Sequence, residues 1–139
     1  MKSQTLIVAG LCLVIGLAVV PAHAQRGGVR AKVPFDFAVS GKTFPAGEYT
    51  MIAASHQVRI EDSEGRLIAM VLANDISGRN AGANGRIIFH CYRDRCLLSE
   101  LWSPAQENGR QLFTSRTEAD LAKHQRGTYF AVLGEKPRE

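Results

Sequence analysis

His90, Cys91, Tyr92, Cys96, Ser99, Glu100 and Trp102 lie within one stretch, Ile87 to Trp102 (I-I-F-H-C-Y-R-D-R-C-L-L-S-E-L-W). By type and spacing they are the residues of this chain best placed to do chemistry. Paired cysteines could form a disulfide or, with His90, ligate a metal. Histidine, serine and glutamate could make a hydrolase set, and the aromatic rings could carry a sugar. What each group can do depends on the element that holds it.

The stretch predicts two β-strands folded back across a tip at Arg93 and Asp94. Tyr92 then faces Arg95, Cys91 faces Cys96, His90 lies opposite Leu97, Phe89 faces Leu98 and Ile87 faces Glu100. In a two-residue hairpin the pair next to the tip exchanges hydrogen bonds and the following pair does not. Cys91 and Cys96 would be that following pair, with Cα atoms about 4.5 to 5.5 Å apart, inside disulfide range. A four-residue loop keeps the two cysteines opposite each other.

A disulfide closing so short a loop contributes about 2 kcal/mol and chiefly holds the register. Metal binding is the rival, but one hairpin lacks the second spaced ligand pair of a structural zinc site, and His90 and Cys91 point to opposite faces. Nor does a triad assemble within the hairpin. Ser99 is a diagonal neighbour of His90, whereas Glu100 falls on the other face. The acid would have to come from elsewhere, such as Asp36 or Asp62, and no G-x-S-x-G or H-E-x-x-H motif is present. We therefore expect no enzyme, no metal and no cofactor. His90, Tyr92 and Trp102 remain as side chains a ligand could contact, with Tyr129 a further ring if it is exposed.

Around the hairpin the pattern is that of strands. Val33, Phe35, Phe37 and Val39 alternate with polar or small residues, the period-two signature of a half-buried strand. Pro34 places that strand at a sheet edge or delays its pairing. A Gly/Pro turn from Ser40 to Gly47 precedes a strand from Glu48 to Ala54, and Gln57–Glu61 alternates again. Leu67 to Ile76 is nearly all apolar over its first seven residues, which predicts a central strand covered on both faces. Ser77 to Gly85 is a Gly/Asn connection whose spacing is not that of a phosphate loop. Ser115 and Glu118 form a capping-box pattern that predicts a short helix from about Arg116 to His124, stopped by Gly127. Thr128 to Leu133 is the last strand.

The chain opens with one lysine, a long apolar run, Pro21 and the small residues Ala22 and Ala24, the layout of a secretory signal peptide cleaved after Ala24. Residues 25 to 139 then form one domain. Removing residues 1 to 24 takes only Lys2 from the 17 basic residues and none of the 13 acidic ones, leaving 16 − 13 = +3. Cys12 leaves too, so Cys91 and Cys96 meet an oxidising compartment, the periplasm or the outside of the cell. The arginines are scattered rather than gathered with stacking aromatics, which argues against nucleic acid. No stable membrane insertion is expected after cleavage.

Val33-Pro34-Phe35-Asp36-Phe37, Pro45-Ala46-Gly47-Glu48-Tyr49 and the later F-H-x-Y and L-S-E-x-W stretches resemble a family of small exported bacterial proteins of uncharacterised function, which carry V-P-F-x-F and P-A-G-x-Y after the signal peptide. The resemblance covers most of the mature chain and implies a compact exported β-domain. It brings no catalytic residue, and Cys91 and Cys96 stand outside its pattern.

The expected fold is all-β: an antiparallel sandwich or partly closed barrel of about seven strands with one short peripheral helix. The expected function is a non-enzymatic binding or structural role towards an envelope or extracellular ligand. A free edge at the first strand would permit self-association. The alternative is a small secreted hydrolase or carbohydrate-binding module. A carboxylate beside His90 and Ser99 in one cleft would favour the first, and an exposed ring at Tyr92, Trp102 or Tyr129 the second.

Overall fold

The computed structural model describes residues 28–78, 83–104 and 106–136. The leader-like segment and part of the Gly/Asn connection lie outside the described residues. Ten strands and one helix follow in order: β1 (Gly28–Val33), β2 (Phe37–Val39), β3 (Lys42–Phe44), β4 (Gly47–Ala54), β5 (Gln57–Glu61), β6 (Leu67–Ser77), β7 (Arg86–Tyr92), β8 (Arg95–Trp102), β9 (Asn108–Leu112), α1 (Arg116–His124) and β10 (Thr128–Leu133).

The strands form one all-β sheet in the order β1-β4-β5-β6-β9-β8, continued from β8 through β7 to β10, with the β2–β3 hairpin also attached to β8. All pairings are antiparallel except β2 on β8. The two ends of this path curl towards each other. Glu135 N–H donates to the Arg30 carbonyl at 2.7 Å, but β1 and β10 form no ladder. The architecture is a partly closed barrel. The seam also covers part of the β1 edge that the sequence offered for self-association.

Alternation builds the interior. Val29, Ala31 and Val33 of β1, Met51 of β4, Val58 and Ile60 of β5, Val71 and Ala73 of β6, and Ile87 and Phe89 of β7 all turn inwards and are buried. Phe89 packs edge-on against Phe35 and Phe37, with centroids at 5.0 and 5.3 Å, and Phe37 meets Tyr49 at 5.0 Å. At roughly 25 cal/mol per Å² of apolar surface removed from water, these rings are the largest single contributors to the core.

Several expectations are corrected. The single strand through Pro34 is two strands: β1 stops at Val33 and β2 begins at Phe37, because proline has no N–H for a ladder. The strand β6 is not covered on both faces, since Leu67, Met70 and Leu72 are 46%, 52% and 68% exposed. Among the described residues there are ten strands rather than about seven because short hairpins such as β2–β3 are counted in; their turn at Ser40 and Gly41 has positive φ at both residues, as a two-residue hairpin turn requires.

The hairpin keeps the expected register from Tyr92–Arg95 to Phe89–Leu98, then shifts, so that Ile88 faces Glu100 and Ile87 faces Leu101. The cause is burial: without the extra residue, buried Ile87 would face Glu100, whereas the bulge turns Leu101 inwards. The bulge also brings Glu100 to the outer face, where it accepts a 2.8 Å bond from Trp102 Nε1. The Cys91–Cys96 disulfide is formed, with Cα atoms 3.9 Å apart.

Helix α1 runs over the residues expected, and the Ser115 side chain accepts from the Glu118 N–H at 3.1 Å. It ends at the cap residue Gln125, two residues before Gly127. None of its residues is buried, so it lies on the outside of the barrel.

Candidate functional site

The helix lies over a break in the barrel wall. The strand β9 pairs with β6 only from Ala73 to Ser77, and with β8 only at Glu100 and Leu101. The first half of β8 pairs instead with β2, at Cys96 and Leu97. Between β6 and β2 the wall is therefore open. A cavity of about 350 Å³ fills the gap, lined by Val39, Met70, Leu72, Leu97, Phe113 and Glu118 among others. Phe113 is 58% exposed, adding to the exposed Met70 and Leu72 an apolar rim.

Two further cavities adjoin it. One of about 390 Å³ shares Ala38, Leu97 and Ser115 with the first and is bordered by Asp36, Asp94 and Arg95. The other, of about 220 Å³, shares Leu112 and Glu118 and is polar, lined by His90, Ser99, Gln111, Thr114 and Tyr129.

The polar cavity gathers most of the residues singled out from the sequence. His90 Nδ1 lies 3.0 Å from Glu118 Oε1 and 2.9 Å from the Tyr92 hydroxyl, and Tyr92 also donates to Glu118 at 3.4 Å. Tyr129 stacks on the imidazole at 4.1 Å, with ring planes 8° apart. The carboxylate beside His90 is thus Glu118 from α1, not Asp36 or Asp62. Its signal was present as the capping box, but only half of that box forms, because the Glu118 side chain is turned to His90 and Tyr92.

His90, Ser99 and a carboxylate do share this cavity, the arrangement named above as favouring a hydrolase. Among the described residues no hydrogen bond joins Ser99 to His90. The second ring nitrogen, Nε2, abuts Gly127, where a side-chain carbon would collide with it. Gly127 therefore makes room for His90 rather than ending the helix. What the cluster does is fasten α1 to the sheet at a position where the helix buries no side chain of its own.

Of the rings offered to a ligand, Tyr92 is 2% and Trp102 5% exposed, while Tyr129 is 61% exposed. Trp102 lies under Gly78 and Gly109, each too close for a side chain, with the Arg86 guanidinium 5.4 Å from its centroid. It is a packing residue of the outer face. Among the described residues no group of three His, Cys, Asp or Glu could hold a metal ion, and no helix is long and apolar enough to cross a membrane.

Burial, then the charge of Glu118, raises the Tyr92 phenol above its ordinary value; burial, then Asp36 and Asp62, does the same for Tyr49. The folded protein keeps protons that the unfolded chain releases near pH 10, so this contribution is complete below about pH 10 and is lost as pH rises through the folded value. Stability in urea should fall between pH 9 and pH 11, and less steeply in Tyr92→Phe. An unchanged slope in that variant would mean that the phenol ionises alike in both states.

The fold and its surface define the class: an open all-β barrel with a helix laid across a gap in its wall. Comparisons with protein-family models, with curated proteins and with solved structures found no match.

Proposed function

We propose that this is an exported, non-enzymatic binding domain whose ligand lies in the cleft between β6 and β2, at the cell envelope or outside the cell. The observation that carries the proposal is the gap in the barrel wall, where Met70, Leu72 and Phe113 stand exposed around a cavity of about 350 Å³. Ligand sites are concave, mostly apolar and fall in the usual range of about 300 to 1,000 Å³. The signal-peptide layout and the disulfide support export.

The test is titration with 1-anilinonaphthalene-8-sulfonate, a small apolar probe, under native conditions. Fluorescence should rise on binding, and Leu72→Lys should weaken binding at least about tenfold by placing a charge in the cleft. Because Leu72 is exposed, the variant should fold normally. Binding unaffected by the lysine would remove the cleft as the site. A substrate turned over by the wild type but not by a folded His90→Ala protein would overturn the non-enzymatic reading.

A second reading, carbohydrate binding, is favoured by one observation: the exposed Tyr129 ring, held rigid on His90 beside the polar cavity. Retention on immobilised polysaccharide that Tyr129→Ala abolishes would move the function there.

A further inference from the structure

The cleft has a feature that an apolar ligand alone would leave unsatisfied. Ala73 N–H donates to the His56 carbonyl, on the β5 side of β6. Backbone groups alternate sides along a strand, so those of Met70 and Leu72 point the other way, into the gap. The ladder with β9 begins only at Ala73–Leu112, and β2, across the gap, is already paired with β8 and β3. Among the described residues Leu67 to Leu72 thus has no ladder partner on that side, an edge about 20 Å long at roughly 3.3 Å per residue.

Resting on the binding-domain reading above, we infer that the occupant of this cleft is an extended segment of polypeptide, apolar at alternate residues and basic at one end, that adds to β6 as a strand. A peptide main chain supplies the donors and acceptors that the β6 edge lacks, and alternate side chains reach Met70, Leu72, Leu97 and Phe113. An acyl chain or a flat aromatic would fill the apolar space and leave the edge groups of β6 dry and unpaired.

Charge fixes the ends. Glu118 is the charged side chain of the cleft, and the adjoining cavity adds Asp36 and Asp94 against Arg95, a formal balance of 1 − 3 = −2. A lysine or arginine at the α1 end of the peptide meets that field. A second copy of this chain is the poorer occupant. Its own β6 carries β5 on one side and β9 beyond Leu72, so a whole sheet would have to enter a gap walled by β2 and α1.

The experiment uses the folded, oxidised domain and an immobilised library of octapeptides in which Val, Ile, Leu or Phe alternate with Thr, with lysine at one end. Expected are bound members that slow amide exchange at Met70 and Leu72. N-methylation of the peptide amides on one edge should weaken binding at least about tenfold, and on the other edge hardly at all. Replacing the terminal lysine by glutamate should weaken it as well.

If anilinonaphthalene sulfonate binds and Leu72→Lys displaces it, but no peptide competes or protects those amides, the polypeptide inference falls and the binding-domain reading stands. Binding of neither sinks both. Protection of Met70 and Leu72 that rises with protein concentration alone, with dimers in sedimentation, overturns the peptide in favour of a second copy.

Discussion

Replacing Phe89 by alanine is expected to destabilise the domain by about 3–5 kcal/mol, the range for deleting a fully buried aromatic side chain. Phe89 is fully buried and touches both Phe35 and Phe37, so its ring joins the chain on either side of Asp36 to the β7–β8 hairpin. Backbone ladders on three neighbouring strands hold the surroundings in place, so the site cannot collapse around the void. Domains of this size have about 5–15 kcal/mol in all, so the variant should unfold at much lower urea or be unfolded at 37 °C. Phe89→Leu keeps most of the volume and should cost less, about 1–2 kcal/mol. Equal losses in the two variants would show that edge-to-face ring contacts, rather than volume, set the energy.

The elements were legible because they rest on local patterns. The hairpin, the cysteine pairing and the helix from Arg116 to His124 follow from period-two alternation, facing residues and a serine cap, each confined to a few neighbours in sequence. What was not legible depends on which element lies over which. The run Leu67 to Leu72 is as apolar as a buried strand, and nothing within it says that β9 is too short to cover it; that follows from where β9 stops against Ala73. The Ser99 bulge likewise reflects the competition between Ile87 and Leu101 for the interior on one side and Glu100 on the other.

The site was legible in its members and not in its assembly. His90 and Tyr92 share a face of one strand and were visible as neighbours, but their carboxylate partner is 28 residues further on and reaches them only because α1 folds back over the hairpin. Glu118 had a sufficient local role as a capping residue, and that masked its distant one. Tyr129 could not be told from a core aromatic, since β10, T-Y-F-A-V-L, is apolar on both faces; it emerges exposed because β10 ends the sheet and its register sets Tyr129 opposite His90, on the outer face of β7.

Gly85→Ala should be strongly damaging, and a comparison with Gly41→Ala separates its two causes. Both glycines have positive φ, +76° at Gly85 and +81° at Gly41, where an L-residue costs about 1–2 kcal/mol. At Gly41 an added carbon has open space around it, so the backbone cost should be the whole effect. At Gly85 the same carbon would stand 2.5 Å from the Trp102 carbonyl oxygen and 2.7 Å from Val29, a clash with main chain that no rotamer relieves. Overpacking of that kind adds about 1–3 kcal/mol, for a total of about 2–5 kcal/mol. Moreover, Gly85 supplies the carbonyl that accepts from Gly134, one residue beyond the β7–β10 ladder, so any shift away from Trp102 pulls on Gly134 and, through it, on Glu135, which bonds Arg30 across the seam. Urea unfolding of the two variants, with amide exchange at Gly134 and Glu135, decides the matter: Gly85→Ala should lose more stability than Gly41→Ala and alone speed exchange at the seam. Equal losses with a protected seam would mean that the barrel ends are held by side-chain packing of Val29 and its neighbours and not by this backbone contact.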